Sequence, residues 1–189
     1  MTLRDLNNPV FVAEFSPEAE WKRTLLIACG RRFGLTNLVE TGTCWGDTVA
    51  SVRPFFEQVY SIELSPKFYE SAKNRFENDQ HVHLYFGSSR LTLESVLKDA
   101  PAGPLLFWLD AHVTGGPSAD DGDQVNPELY IIQRDRPESL VLIDDVRPHG
   151  LTGYIAPDGP ITIPNGWTAK FLSGVLALHT GGYDFPEKF

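Results

Sequence analysis

Cysteine is scarce in this chain: two among 189 residues, Cys29 and Cys44. Two are too few for the disulfide framework of a small secreted fold, and neither belongs to a CxxC pair. Reduced, buried thiols in a cytoplasmic protein are the expectation. Positive charge is short as well. Sixteen Lys and Arg face 25 Asp and Glu, a formal net charge of −9, with no basic cluster anywhere. A protein that grips nucleic acid carries a basic face, and an anionic membrane attracts one, so neither is an expected partner. No apolar run approaches the ~20 residues of a membrane-spanning helix. The opening "MTLRDLNNPVFVAEFSPEAE" places acids where a signal peptide needs an apolar block. Repeats and low-complexity stretches are missing too. The length suits one domain, long enough to bury a full core without disulfides or a structural metal.

What is present is alternation. "SPEAEWKRTLLIACGRRFG" (16–34) reads as a helix: Ser16 can cap it, Pro17 suits its first position, and Gly34 suits its stop. Strands are predicted at 36–40, 58–64, 82–87, 104–110 and 139–145. Helices are predicted at 44–56, 65–79, 90–99 and 126–136. Strand and helix in turn imply βαβ units and a mainly parallel, doubly wound sheet. Beyond Asp145 the pattern weakens. Residues 146–166 are rich in Gly and Pro and read as a long loop, and 166–180 as one apolar element of unassigned type. The C-terminal region 150–189 therefore looks abbreviated.

Ligands of doubly wound sheets bind beyond the carboxyl ends of the strands. Here those ends carry Glu40, Glu63, Gly87 with Ser88, Asp110, and Asp144 with Asp145. The stretch "LVETGTCWGDT" (38–48) falls at the first such end. Gly42 would let the backbone approach a ligand closely, and Gly46 would let the next helix pack close to it. Glu40 stands where the dinucleotide fingerprint GxGxxG has its first glycine, and it would repel a pyrophosphate. A cationic or zwitterionic ligand fits better, so a nicotinamide dehydrogenase is disfavoured. Glu63 lies about 20 residues past the glycine turn, where an acid accepts ribose hydroxyls in nucleotide-binding folds. Ser88 or Ser89 would then lie near a base.

These residues resemble the class I S-adenosylmethionine-dependent methyltransferases. "VETGTCWGDT" is similar to their glycine-rich first motif and "SIELS" to their second. "PLLFWLDAH" is similar to the fourth-strand motif and "VLIDDV" to the fifth strand, over roughly 36–149. The resemblance implies a Rossmann-like three-layer α/β sandwich with S-adenosyl-L-methionine as cofactor. Glu40 and the Gly42 backbone would hold the methionine portion, Glu63 the ribose, and Ser88 and Ser89 the surroundings of the adenine. Thr41, Thr43, Asp47, Leu64, Gly87 and Asp110 complete the implied cofactor site.

Asp110, Asp144 and Asp145 close adjacent strands, which lie about 4.8 Å apart in a sheet. Three hard oxygen ligands there suit Mg²⁺ or another divalent cation; separate roles for the three acids are the plainer alternative. The arrangement resembles cation-dependent O-methyltransferases of the catechol and macrocin types. Such a metal would hold an acceptor's hydroxyls and lower the pKa of the attacking one. His112, two residues past Asp110, is a candidate general base, and Asp110 joins it as a candidate catalytic residue. The loop 113–123 is a candidate lid.

The expected function is methyl transfer to a hydroxyl of a small molecule, with a divalent cation as an open requirement and a homodimer as an open assembly. Two alternatives stand: a non-catalytic nucleoside- or metal-binding module, and a metal-dependent hydrolase or hydroxylase-like enzyme.

Overall fold

The N-terminal helix follows its caps. In the computed structural model, which describes residues 16–111, 124–151 and 153–185, α1 spans Pro17–Phe33. The Ala19 N–H donates to Ser16 Oγ at 3.1 Å. Gly34, left-handed at φ 67°, returns its N–H to the Gly30 carbonyl. Alternating elements follow. These are β1 (Asn37–Thr41), α2 (Asp47–Val52) with a single 3₁₀ turn at Arg53–Phe55, β2 (Gln58–Glu63), α3 (Pro66–Arg75), β3 (Val82–Phe86), α4 (Ser89–Asp99), β4 (Leu106–Leu109), α5 (Val125–Asp135) and β5 (Leu140–Ile143). Every strand and helix predicted up to Asp145 is present. Pro54 turns the end of the second helix into the 3₁₀ segment, because it lacks the N–H that a longer α-helix would need.

The main sheet has seven strands in the order β3-β2-β1-β4-β5-β10-β9, where β9 is Thr168–Leu172 and β10 is Val175–His179. The first five are mutually parallel, and β10 runs antiparallel to both of its neighbours. Period-two alternation assigns each strand's side chains to one of two buried layers. Val39, Ile62, Phe107, Leu109, Val141 and Ile143 pack with Leu93 and Val96 of α4 and Leu129 and Ile132 of α5. Leu38, Val59, Leu106, Trp108, Leu140 and Leu142 pack with Leu25, Leu26 and Cys29 of α1 and Val49 and Val52 of α2. The result is the three-layer α/β sandwich expected. Among the described residues no helix is long and apolar enough to cross a membrane.

The C-terminal part departs from its reading. Residues 166–180 hold two strands, β9 and β10, and they complete the sheet rather than abbreviate it. A two-residue turn joins them, with Ser173 at φ 47° and Gly174 at φ 94°, the pair of positive φ angles that a type I′ hairpin needs. The 146–166 stretch is also not a bare loop. It forms a small antiparallel sheet of β6 (Arg147–His149), β7 (Gly153–Ala156) and β8 (Gly159–Pro160). Ile161 and Trp167 beside it pack onto the α5 side of the core.

Candidate functional site

Strand order reverses between β1 and β4, and at such a switch point the crevice beyond the strand ends is the usual ligand site. The chain ties this point tightly. The Asp110 N–H donates to the Thr41 carbonyl at 3.0 Å and lies 3.3 Å from Thr41 Oγ1. Gly42 follows at φ 91°. A Cβ on Gly42 would lie 2.6 Å from the Asp110 carbonyl oxygen, so the neighbouring strand's backbone by itself requires glycine here. Gly46 lets a helix pack close: at φ 75° its missing Cβ makes room for the Phe76 ring at the end of α3, 2.7 Å from where that atom would stand.

The bend spends its amides on the protein. Gly42 and Thr43 both donate to the Ile62 carbonyl, at 2.9 and 3.2 Å, and Gly46 donates to the Thr43 carbonyl at 2.8 Å. Cys44, at φ 50°, donates to Glu63 Oε2 at 2.7 Å. A phosphate nest depends on backbone N–H groups aimed at the anion. Four that would build one are committed elsewhere, which agrees with the exclusion of pyrophosphate from the sequence.

Carboxylates take the place of the nest. Glu40 is 1% exposed and pairs in register with Ser61 of β2. Ser61 Oγ donates to Glu40 Oε2 at 2.5 Å, and the Thr43 and Ser61 hydroxyls are 2.6 Å apart. Burial pushes the Glu40 carboxyl up to about 8; the Ser61 hydrogen bond opposes the rise and the charge of Glu63 adds to it. Glu63 is also buried. Its Oε1 accepts the Ser65 N–H and its Oε2 the Cys44 N–H, both at 2.7 Å. Burial raises its pKa while these amide bonds hold it down. The Leu64 amide adds to the same pull. Glu63 thus clamps the glycine bend to the end of β2.

The remaining candidates divide. Thr41 and Thr43 are buried, and their hydroxyls serve the strand ends as described. Asp47 bonds the Arg75 guanidinium, which also donates to the Trp45 carbonyl at 2.8 Å. Asp47 thereby joins α2 to α3. Leu64 follows Glu63, half-buried. The Gly87 N–H donates to the Glu63 carbonyl at 2.9 Å. The Ser88 and Ser89 hydroxyls both lie 3.4 Å from Gln124 Oε1. Gln124 is buried and its N–H donates to Asp158 Oδ2 at 2.8 Å, so it borders the third strand's turn. Sequence reading missed Gln124 and Ser61; the signal for Ser61 was a small polar residue inside the apolar run "VYSIE". His112 and the 113–123 loop lie outside the described residues.

The three aspartates do meet. Carboxylate oxygens of Asp110, Asp144 and Asp145 lie within 4.8 Å of one another. The parallel β4–β5 register puts Asp110 beside Asp144. Burial raises the Asp110 pKa well above the ordinary carboxylate value, and repulsion from Asp144, Asp145 and Glu40 adds to it. Burial also raises that of Asp144, against the nearby Lys22. That lysine was not singled out in the sequence. Lys22 of α1 places its ammonium 2.8 Å from Asp144 Oδ1 and 3.0 Å from Asp145 Oδ1, with Glu18 at 3.4 Å. A metal bridging the same two oxygens would need Mg–O distances of about 2.0–2.1 Å, in the space the ammonium fills. Lys22 would have to swing away before these oxygens could hold a divalent ion.

No family model and no curated protein matches the chain. Solved structures do. The SAH-bound methyltransferase PaMTH1 of Podospora anserina aligns over 90% of this chain and 84% of its own, with a TM-score of 0.59 and 16% identity. A Staphylococcus aureus protein described as a candidate caffeoyl-CoA O-methyltransferase aligns over 91% of each chain, at 0.59 and 17%. A Bacillus cereus O-methyltransferase in complex with SAH aligns over 86% of this chain and 80% of its own, at 0.53 and 15%. Likeness at this identity establishes the fold.

Proposed function

We propose that this chain, which has the fold of the class I S-adenosylmethionine-dependent methyltransferases, binds S-adenosylmethionine at the β1–β4 switch point. We assign it methyl transfer to a hydroxyl of a small molecule. The observation that supports this most is the acidic bend after β1. Its amides are spent on protein acceptors, and Glu40 and Glu63 flank it. Such a bend rejects a pyrophosphate and suits a ligand with a positive centre and a sugar diol. When bound, S-adenosylmethionine would supply a sulfonium methyl for in-line transfer to the acceptor oxygen, with S-adenosylhomocysteine as the leaving group.

The chain's own groups bind and align. Glu40 takes the ammonium of the methionine end. Glu63, held by two amides, accepts ribose hydroxyls. Ser88, Ser89 and Gln124 border the adenine. Alignment of this kind is worth about 7–11 kcal/mol of barrier. Asp110, at the β4 end of the switch point, is the carboxylate assigned to take the proton of the acceptor hydroxyl. Two of the three similar structures above are described as O-methyltransferases, which favours oxygen over nitrogen as acceptor. Labelled S-adenosylmethionine offered with a panel of catechols, sugars and amines tests this. Methyl ethers are the expected products, and transfer to amines alone would overturn the assignment.

A pH dependence follows from Glu40. With its pKa at about 8 in the empty site, Glu40 is protonated at neutral pH, and an incoming ammonium favours the carboxylate. Binding therefore expels a proton. Affinity for S-adenosylhomocysteine should climb as pH rises from 6 toward 8 and then level off. Calorimetry in buffers of different ionisation enthalpy should show proton release near pH 7, and Glu40→Gln should abolish both effects. Release that persists in Glu40→Gln would assign the proton to another group.

A further inference from the structure

Lys22 reaches the rim because α1 is built to put it there. It begins the buried stripe that continues through Leu25, Leu26 and Cys29, and its side chain is only 15% exposed. The carboxylates are arranged to receive it. Asp145 turns into the left-handed region at φ 51°, and its N–H donates to Asp144 Oδ1 at 2.7 Å. Asp144 Oδ1 therefore accepts two donors, that amide and the Lys22 ammonium. A carboxylate oxygen has two lone pairs in its plane, so this one has none left for a metal. Both ammonium contacts, 2.8 and 3.0 Å, are good hydrogen-bond distances.

We propose that the Lys22 ammonium is the resident cation of the Asp110–Asp144–Asp145 cluster, so that this site works without a divalent metal. The ammonium balances part of the cluster's charge and holds Asp144 and Asp145 fixed, leaving the Asp110 carboxyl to face the acceptor. Lys22 is a positioning residue and touches no reacting atom. The activity consequence rests on the methyl-transfer reading; the ion-binding consequence does not.

Manganese serves as the probe, with free Mn²⁺ followed by electron paramagnetic resonance. The wild-type chain should show no saturable Mn²⁺ site in the micromolar range. Lys22→Met should gain one, with affinity raised roughly tenfold or more, since an opposing positive charge inside a low-dielectric cluster is gone. Adding Asp144→Asn to Lys22→Met should erase it. Lys22→Arg keeps the charge and should gain nothing, and it serves as the control should Lys22→Met fold poorly. Methyl transfer by the wild type should be indifferent to EDTA. Micromolar Mn²⁺ binding by the wild type, a gain in Lys22→Arg, or activity lost to EDTA and restored by Mg²⁺ would each overturn the proposal. So would a Lys22→Met variant that is folded by circular dichroism yet takes no Mn²⁺. Failure to bind S-adenosylhomocysteine would instead sink the methyltransferase reading and leave these Mn²⁺ results standing.

Discussion

Alanine at Gly42 should cost more than about 4 kcal/mol of folding stability and remove cofactor binding with it. Two effects add. A non-glycine residue at φ 91° is strained by about 1–2 kcal/mol or more. The new methyl would also stand 2.6 Å from the Asp110 carbonyl oxygen and 2.9 Å from its carbon. Those are backbone atoms of the adjacent strand, so no rotamer change relieves the clash. Relief requires β1 and β4 to part at the switch point, which breaks the Asp110–Thr41 hydrogen bond. Alanine at Gly46, strained in the same way at φ 75°, has the Phe76 ring as its close contact, which can swing aside, so it should cost less. Denaturant unfolding of both variants measures the contrast. A Gly42→Ala protein within about 1 kcal/mol of wild type would mean that the strand ends do not meet as described.

Glu63→Ala should weaken S-adenosylhomocysteine binding by at least about a hundredfold, or roughly 2.7 kcal/mol. The carboxylate accepts two amides at 2.7 Å, and hydrogen bonds to a charged group are worth about 1.5–3 kcal/mol each. Removing it strands both donors, loosens the bend and deletes the ribose acceptor together. Glu63→Gln separates these contributions. Its single amide oxygen can still accept from one backbone N–H, so it should recover part of the stability while binding stays weak. An alanine variant that loses stability but binds normally would leave Glu63 a structural clamp and withdraw the ribose role.

The central sheet was legible because parallel interior strands are continuous apolar runs. "LLFWL" and "LVLI" admit few other readings when helical patterns separate them. The acids at the strand ends were legible for the same reason: each breaks an apolar run at its last residue. The hairpin of β9 and β10 was not. All five residues of β10 are buried, and a run of four apolar residues before His179 shows no period that tells strand from helix. Its Ser173-Gly174 turn was the available signal. The strands of the small sheet are two to four residues long, too short to show alternation. Lys22 escaped for a different reason. Its partner Asp145 is 123 positions away, and only the fold brings the two together. A local hint existed, since a lysine in register with Leu25, Leu26 and Cys29 lies on a buried stripe and needs a buried partner. The glycines were placed correctly in the bend, but the Asp110 backbone against Gly42 was not foreseen, because which strand crowds Gly42 depends on strand order.

Calorimetric titration of the wild-type chain with S-adenosylhomocysteine, and separately with NAD, decides whether the acidic bend is a site for a sulfonium-type nucleoside. Saturable binding of S-adenosylhomocysteine with no heat from NAD is the expected result. Binding of NAD, or of neither ligand by a folded chain, would contradict it.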